Sequence, residues 1–352
     1  MIPQYYEFFN DTKILSGYQA LTKIPSELIN RGKSCPILLC QKELTDRGIQ
    51  RSLLKALEEK GLNTNKVIYY CKVVDEECYV QALSEFRNRN CDSIIAVGDS
   101  TVFELGQKIK TAQEQCSSKI TFVAVPTAGT GMEILGKPDL IVLDPGMAFN
   151  FSIRETVLAA IDTICHSIEA YTSSKKNPLS DVYAISAIKL TAESLPTIVK
   201  KSRDQRARHT LSNGAVLSGI GFSNSGGGIT HIIAKGLTEC CKVSHTEAVS
   251  IILPHCLEHN MIRNDQYYGE LLLPLKGPDI FSETPLYERG RRFQNYIRNM
   301  ISEYQNKWNI PVCLSQIGVK RSDFDRIINQ RNTGAVSQVD IQDITDILNL
   351  AF

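Results

Sequence analysis

No run of apolar residues in the 352-residue chain approaches the roughly 20 needed to cross a bilayer, so no membrane partner is expected. The N-terminus, MIPQYYEFFNDTK, has no basic patch followed by an apolar stretch, so no secretory signal is expected. Charge of one sign is also missing. Lys plus Arg total 39 and Asp plus Glu 38, a net of +1, which leaves no surplus to hold nucleic acid or an anionic surface. There is no CxxC among the 11 cysteines, and a chain of this length does not need disulfide staples. The thiols are therefore read as reduced, in a cytoplasmic protein, most of them small apolar residues that fill space. Internal repeats and low-complexity segments are absent. What remains is a soluble chain long enough for about two domains of ~150 residues.

Two rhythms divide it. Up to about residue 150, short β-rich runs alternate with helical stretches: PILLC (36–40), KVIYYC (66–71), SIIAVG (93–98), TFVAVP (121–126) and LIVLD (140–144). Continuous apolar runs joined by helices indicate buried parallel strands in a doubly wound α/β sheet. Ligands of such sheets bind at the carboxyl ends of the strands, here CQKE, VGDST and VPTAGTG. From 151 to 352 the β-runs stop. Ser152, with Glu155 three residues on, is a capping-box signature, and helical patterns follow to VDIQDITDILNLAF at the end. NTGAVSQ (332–338) reads as a loop. The expected domains are 1–150, α/β, and 151–352, all-helical.

The 6 histidines, His166, His209, His231, His245, His255 and His259, all lie in the helical half. In AAIDTICHSIEAY, Asp162 and His166 stand four apart, so they share a helix face and can converge on one point. A divalent metal needs such convergence, with ligand distances of about 2.0–2.2 Å from oxygen or nitrogen. Taken alone, this pair reads more readily as a satisfied core pair. A lone His231, after the glycine-rich SNSGGGIT, or a lone His245 in KVSHTEAV would equally be structural.

Together these segments say more. AAIDTICHSIEAYTSSKKNPLSDVYAISAIKL, GAVLSGIGFSNSGGGITHIIAKGL and VSHTEAVSIILPHCLEHN resemble the iron-containing (group III) alcohol dehydrogenases. The first half is similar as well. FFNDTKILSGYQALTKIP looks like that family's opening strand, CDSIIAVGDSTVFELGQKI its phosphate loop, VPTAGTGME its threonine-glycine motif, and PDLIVLDPGM the strand leading into the metal domain. LSQIGVKRSDFDRI resembles its penultimate helix, so the resemblance runs through nearly the whole chain in order. It implies a dehydroquinate synthase-like fold, with a Rossmann-like parallel sheet followed by an all-α metal-binding domain. It implies a metal held by Asp162, His166, His231 and His245, with Fe²⁺ and Zn²⁺ both suited to the donor set. His209, His255 and His259 would lie outside that set. It implies NAD or NADP on the α/β domain, with Gly98, Asp99, Ser100, Thr101, Thr127 and Thr130 along the phosphates. Phe222 and Lys235 are candidate catalytic-pocket residues. The metal would lower the pKa of a substrate hydroxyl, and a hydride would pass to the nicotinamide in a cleft between the domains.

The chain departs from the family where the nucleotide binds. The loop keeps one glycine, Gly98, and Asp99 puts a carboxylate where the pyrophosphate belongs, unless that carboxylate caps the following helix. The long hairpin after the threonine-glycine motif is almost absent, ME being followed by ILG and KPD. Lys235 stands where relatives often carry a further histidine. After the second strand, Gln41 and Lys42 replace the acid that selects NAD, a lean toward NADP. The expectation is a metal-dependent NAD(P)-linked alcohol dehydrogenase or carbonyl reductase. Its substrate would be a small-molecule or peptide alcohol or carbonyl, the loop suggests a specialised tailoring enzyme, and a homodimer is in keeping with the family. The alternatives are a metal-dependent non-redox lyase or cyclase, and a metal-binding scaffold without catalysis.

Overall fold

The computed structural model describes residues 3–40, 49–63, 68–70, 76–115, 119–127, 138–329 and 339–352. Among these, strands β1 (Lys13–Ser16), β2 (Pro36–Cys40), β3 (Ile68–Tyr70), β4 (Ser93–Gly98), β5 (Thr121–Pro126) and β6 (Leu140–Leu143) form one sheet in the order β1-β6-β5-β4-β2-β3. Every pairing is parallel. Helices α1 (Ile24–Asn30), α2 (Ile49–Glu59), α3 (Glu76–Asn88) and α4 (Ser100–Glu114) connect the strands. Strands β2, β4, β5 and β6 are buried at every residue, as their uninterrupted apolar runs require.

The two sheet faces are packed differently. Ile95, Val97, Val123, Val125, Leu140 and Val142 share a cluster with Leu28 of α1 and with Leu53 and Leu57 of α2. Phe122, one residue out of phase with that set, serves the opposite face, where α4 comes so close that a Cβ on Gly106 would lie 2.7 Å from its ring. Asp139 anchors the start of β6. It accepts from the Phe122 amide at 2.9 Å and from Lys110 Nζ at 2.8 Å.

Topology marks a ligand position. The chain runs outward from β2 to β3, then crosses back to β4 and continues the other way to β5. The switch point therefore lies between the carboxyl ends of β2 and β4, where Cys40 and Gly98 stand.

The remaining helices are α5 (Ile153–Thr172), α6 (Pro178–Lys200), α7 (Gln205–Ser223), α8 (Ile229–Cys241), α9 (His245–Lys276), α10 (Pro278–Glu283), α11 (Arg289–Trp308), α12 (Phe324–Asn329) and α13 (Ile341–Ala351). The chain divides into two compact units. One is Asn10–Phe151 with Lys201–Asn213; the other is Met1–Phe9, Ser152–Lys200 and Gly214–Phe352. Sequence analysis places a single boundary near 150, whereas the chain also changes unit at Phe9 and on both sides of Lys201–Asn213. The latter segment joins the sheet unit through polar side chains. Ser16 bonds His209 at 2.7 Å and Asn213 at 3.0 Å, and Arg208 donates to the Phe151 carbonyl at 3.3 Å. Helical periodicity carries no trace of such bonds.

Helix α6 departs from the expectation that no stretch is fit to span a bilayer: it passes by length and composition, with a mean hydropathy of 1.2 in its best window. Its buried residues Ser180, Ala184, Ala187, Ile188, Thr191, Ser194, Leu195 and Ile198 recur every three or four positions. That one-sided pattern, packed on α5 and α9, is what a core helix of a globular unit shows.

Candidate metal centre

Helix α5 is the frame of the site. A capping box starts it: Glu155 N donates to Ser152 Oγ at 3.2 Å and Ser152 N to Glu155 Oε2 at 2.7 Å. From Thr156 to Tyr171 every residue is buried, so α5 threads the core of its unit. Thr163 and Ser167 satisfy their hydroxyls on the carbonyls of Ala159 and Thr163, at 2.9 and 2.8 Å. Asp162, His166 and Glu169 carry the groups that meet side chains of other helices. Their spacing puts all three on one face.

Hydrogen bonds orient the imidazoles. His166 Nδ1 lies 3.0 Å from the Asp162 backbone oxygen. A carbonyl only accepts, so Nδ1 carries a proton and Nε2 is the nitrogen left with a lone pair for a cation. His231, third residue of α8, bonds through Nδ1 to Glu169 Oε2 at 2.6 Å, and its Nε2 lies 3.4 Å from Asp162 Oδ1. His245, the first residue of α9, brings its Nε2 to 3.7 Å from the same oxygen. Asp162, His166 and His231 each offer a ligand atom within 4.8 Å of the others. Atoms about 2.1 Å from a tetrahedral ion lie about 3.4 Å apart, so these separations suit one divalent cation. A carboxylate with three imidazoles accommodates Fe²⁺ or Zn²⁺.

Charge follows the same logic. Burial would raise the Asp162 carboxyl, but His166, His231 and His245 hold it well below the usual carboxylate range. Burial and the charge of His231 push His166 down to about 4, so it is neutral at pH 7 and able to coordinate. His231 differs. Burial disfavours its proton, but Cys165, Glu169 and Asp162 outweigh burial and hold it well above the ordinary histidine value.

Glu169 escaped the sequence analysis. Besides His231, it accepts from the amides of Gly228 at 3.0 Å and Thr230 at 2.7 Å, and so caps α8 from another helix. A Cβ on Gly228 would lie 2.5 Å from the Glu169 carboxyl carbon, which explains the last glycine of the GGG run before His231. The legible signals were the third position on the Asp162–His166 face and that run of glycines. Cys165, Glu169 and His231 also have potential ligand atoms within 4.8 Å of each other. Here the Glu169 oxygens are already engaged by three donors, and burial pushes the Cys165 thiol up to about 12. This second group is a hydrogen-bonded support.

Phe222 sets its ring edge-on to His166, centroids 4.5 Å apart, and 4.8 Å from His231. Lys235 lies on the exposed side of α8, its side chain 59% exposed and its ammonium 3.8 Å from Glu239, an arrangement that favours a surface lysine. The other histidines go elsewhere: His209 to Ser16, His259 to Asp343 at 3.0 Å, and His255 half-buried on α9.

In the sheet unit, Gly98 takes φ 155°, a conformation side chains rarely adopt, at the corner between β4 and α4. Asp99 is the N-cap of α4, its Oδ1 accepting from Thr101 N at 3.0 Å and Thr101 Oγ1 at 2.8 Å. Ser100 opens the helix. Thr127 donates its amide to the Gly98 carbonyl at 3.1 Å, while its buried Oγ1 has no hydrogen-bond partner among the described residues. That hydroxyl suits a cofactor phosphate. The Asp99 carboxylate does not, since a charge pair at ~5 Å repels by about 3 kcal/mol at an effective dielectric of ~20. Gln41, Thr130 and the shortened segment after the threonine-glycine motif lie outside the described residues.

Comparison with known proteins identifies a family. Residues 11–135 match the family model for iron-containing alcohol dehydrogenases, and 156–351 the C-terminal model of the same family. The chain is 22% identical to the NAD-dependent methanol dehydrogenase of Bacillus methanolicus, covering 98% of this chain and 99% of that protein. It is 23% identical to the 1,3-propanediol dehydrogenase of Klebsiella pneumoniae, over 85% and 87% of the two. Its fold superposes on a 1,3-propanediol oxidoreductase with a TM-score of 0.87 at 21% identity, covering 99% of this chain and 100% of that one. An alcohol dehydrogenase from Oenococcus oeni gives 0.88 at 19% identity, with the same coverage.

With its pKa raised, His231 carries a proton on Nε2, facing Asp162 Oδ1, and a cation that takes Nε2 must displace it, while Glu169 keeps the Nδ1 proton. Zn²⁺ affinity is therefore expected to rise about tenfold per pH unit below the raised His231 pKa, with release of one proton. Calorimetric titration in buffers of different ionisation enthalpy reads both; a pH-independent affinity without proton release would contradict this electrostatic picture.

Proposed function

The chain belongs to the iron-containing alcohol dehydrogenase family, and from that premise we propose that it is a divalent-metal-dependent oxidoreductase interconverting an alcohol and an aldehyde or ketone with a nicotinamide dinucleotide. The observation that carries this reading is the approach of the His231 and His245 Nε2 atoms to one buried carboxylate oxygen, beside His166. Asp162, His166, His231 and His245 would hold the ion, Fe²⁺ or Zn²⁺, which when bound supplies Lewis-acid polarisation of the substrate oxygen. Asp162 offsets part of the ion's charge. Phe222 lays an apolar ring against two of the imidazoles and keeps water from that side. Gly98, Ser100, Thr101 and Thr127 are the groups for the dinucleotide phosphates, at the switch point of the sheet.

Several finer points belong to the same proposal. Relatives are named for small substrates such as methanol, 1,3-propanediol and sulfoacetaldehyde, and one for long-chain alcohols. Gln41 and Lys42 favour NADP over NAD. The altered loop favours a specialised enzyme, including one that tailors a small molecule or a peptide. Asp99 also supports a second reading, in which the chain keeps the metal as a scaffold that has lost catalysis.

Nicotinamide absorbance, followed with a panel of small alcohols and aldehydes, separates the two. The redox reading expects turnover that chelation abolishes and metal restores; a metal-loaded protein that binds neither NADH nor NADPH would favour the second. Asp99→Gly should tighten dinucleotide binding by up to about 100-fold. An unchanged dissociation constant in fluorescence titration would show that the carboxylate serves only as a helix cap.

A further inference from the structure

We infer that Glu169 is the positioning residue of the metal centre: it holds His231 in the tautomer and orientation that present Nε2 to the cation. The inference rests on the four-ligand reading above and extends it to a residue outside the ligand set. Three donors from α8 meet on this buried carboxylate. The Thr230 amide reaches Oε1 at 2.7 Å, and the Gly228 amide and His231 Nδ1 reach Oε2 at 3.0 and 2.6 Å. A carboxylate only accepts, so the proton on Nδ1 is fixed and coordination is left to Nε2. Flipping the ring would break that bond, set Cδ2–H against Glu169 and carry Nε2 away from Asp162.

The same carboxylate also fixes where His231 begins. By taking the first amides of α8, it pins the helix start to α5, the helix that carries Asp162 and His166. Gly228 has no Cβ to hold the two apart. Ligands from two helices are thereby set to one frame by one buried anion. Outer partners of this kind change metal affinity by roughly 10- to 100-fold when removed.

The test is Zn²⁺ titration of the full-length protein and of Glu169→Gln, with the melting temperature of each metal-free protein measured alongside. Glu169→Gln keeps the side chain's size but replaces one acceptor by a donor and removes the charge. The expected result is a Zn²⁺ dissociation constant about 10- to 100-fold higher in the folded variant. Equal affinity for Zn²⁺, with only the melting temperature lowered, would overturn the inference and leave Glu169 as a helix cap. Should Glu169→Gln fail to fold, ¹⁵N-histidine spectra of the Zn²⁺-loaded wild type decide. Metal on Nε2 with a retained Nδ1–H supports the inference; metal on Nδ1 of His231 overturns it. A wild-type protein that takes up no Zn²⁺ or Fe²⁺ overturns this inference and the four-ligand reading together, whereas tight wild-type binding with an indifferent Glu169→Gln removes only the inference.

Discussion

A carboxylate within the buried stretch of a core helix is the constraint on which the rest of the helical unit turns. Asp162 is 2% exposed, and an isolated anion in such surroundings costs several kcal/mol. It is accommodated by what faces it. His166 comes from the same helix, His231 from the start of α8 and His245 from the start of α9. Each imidazole needs its own helix at a set height and angle, so packing and capping in this unit serve one small volume. Glu169 holds α8 to α5, and Arg154 near the start of α5 pairs with Glu247, two residues past His245. The helix starts that carry the candidate ligands His231 and His245 are the ones tied back to α5.

Much of this was legible in the sequence, for identifiable reasons. The fully buried strands appeared as uninterrupted apolar runs because both sheet faces are covered, and the start of α5 appeared because a capping box is a local signal. The Asp162–His166 pair was visible as one helical turn. Glu169 was not, because its partners Gly228, Thr230 and His231 lie about 60 residues further along, and no local pattern records a cap supplied by another helix. The affiliation of Lys201–Asn213 was hidden for the same reason, since it depends on bonds from Ser16 and Phe151. Helix α6 misled differently. Small residues such as Ala184 and Ala187 raise its mean hydropathy, although its burial is one-sided.

The sheet unit tells a complementary story. Its topology, the glycine conformation at Gly98 and the Thr127 hydroxyl, which has no partner among the described residues, suit a ligand at the carboxyl ends of the strands. Asp99 sits at the same corner and uses its carboxylate to satisfy the first turn of α4. A residue that stabilises the helix start by carrying negative charge necessarily disfavours an anionic ligand there. The conflict is physical, between a local cap and a phosphate for the same amides, and it separates this loop from the glycine-rich form the resemblance implies.

X-ray absorption at the metal edge of the purified, metal-loaded protein tests the central claim most directly. The account expects a single nitrogen and oxygen shell near 2.0–2.1 Å with the outer scattering of imidazole rings. A sulfur neighbour near 2.3 Å would contradict it, by moving the cation from the Asp162 side of His231 to Cys165.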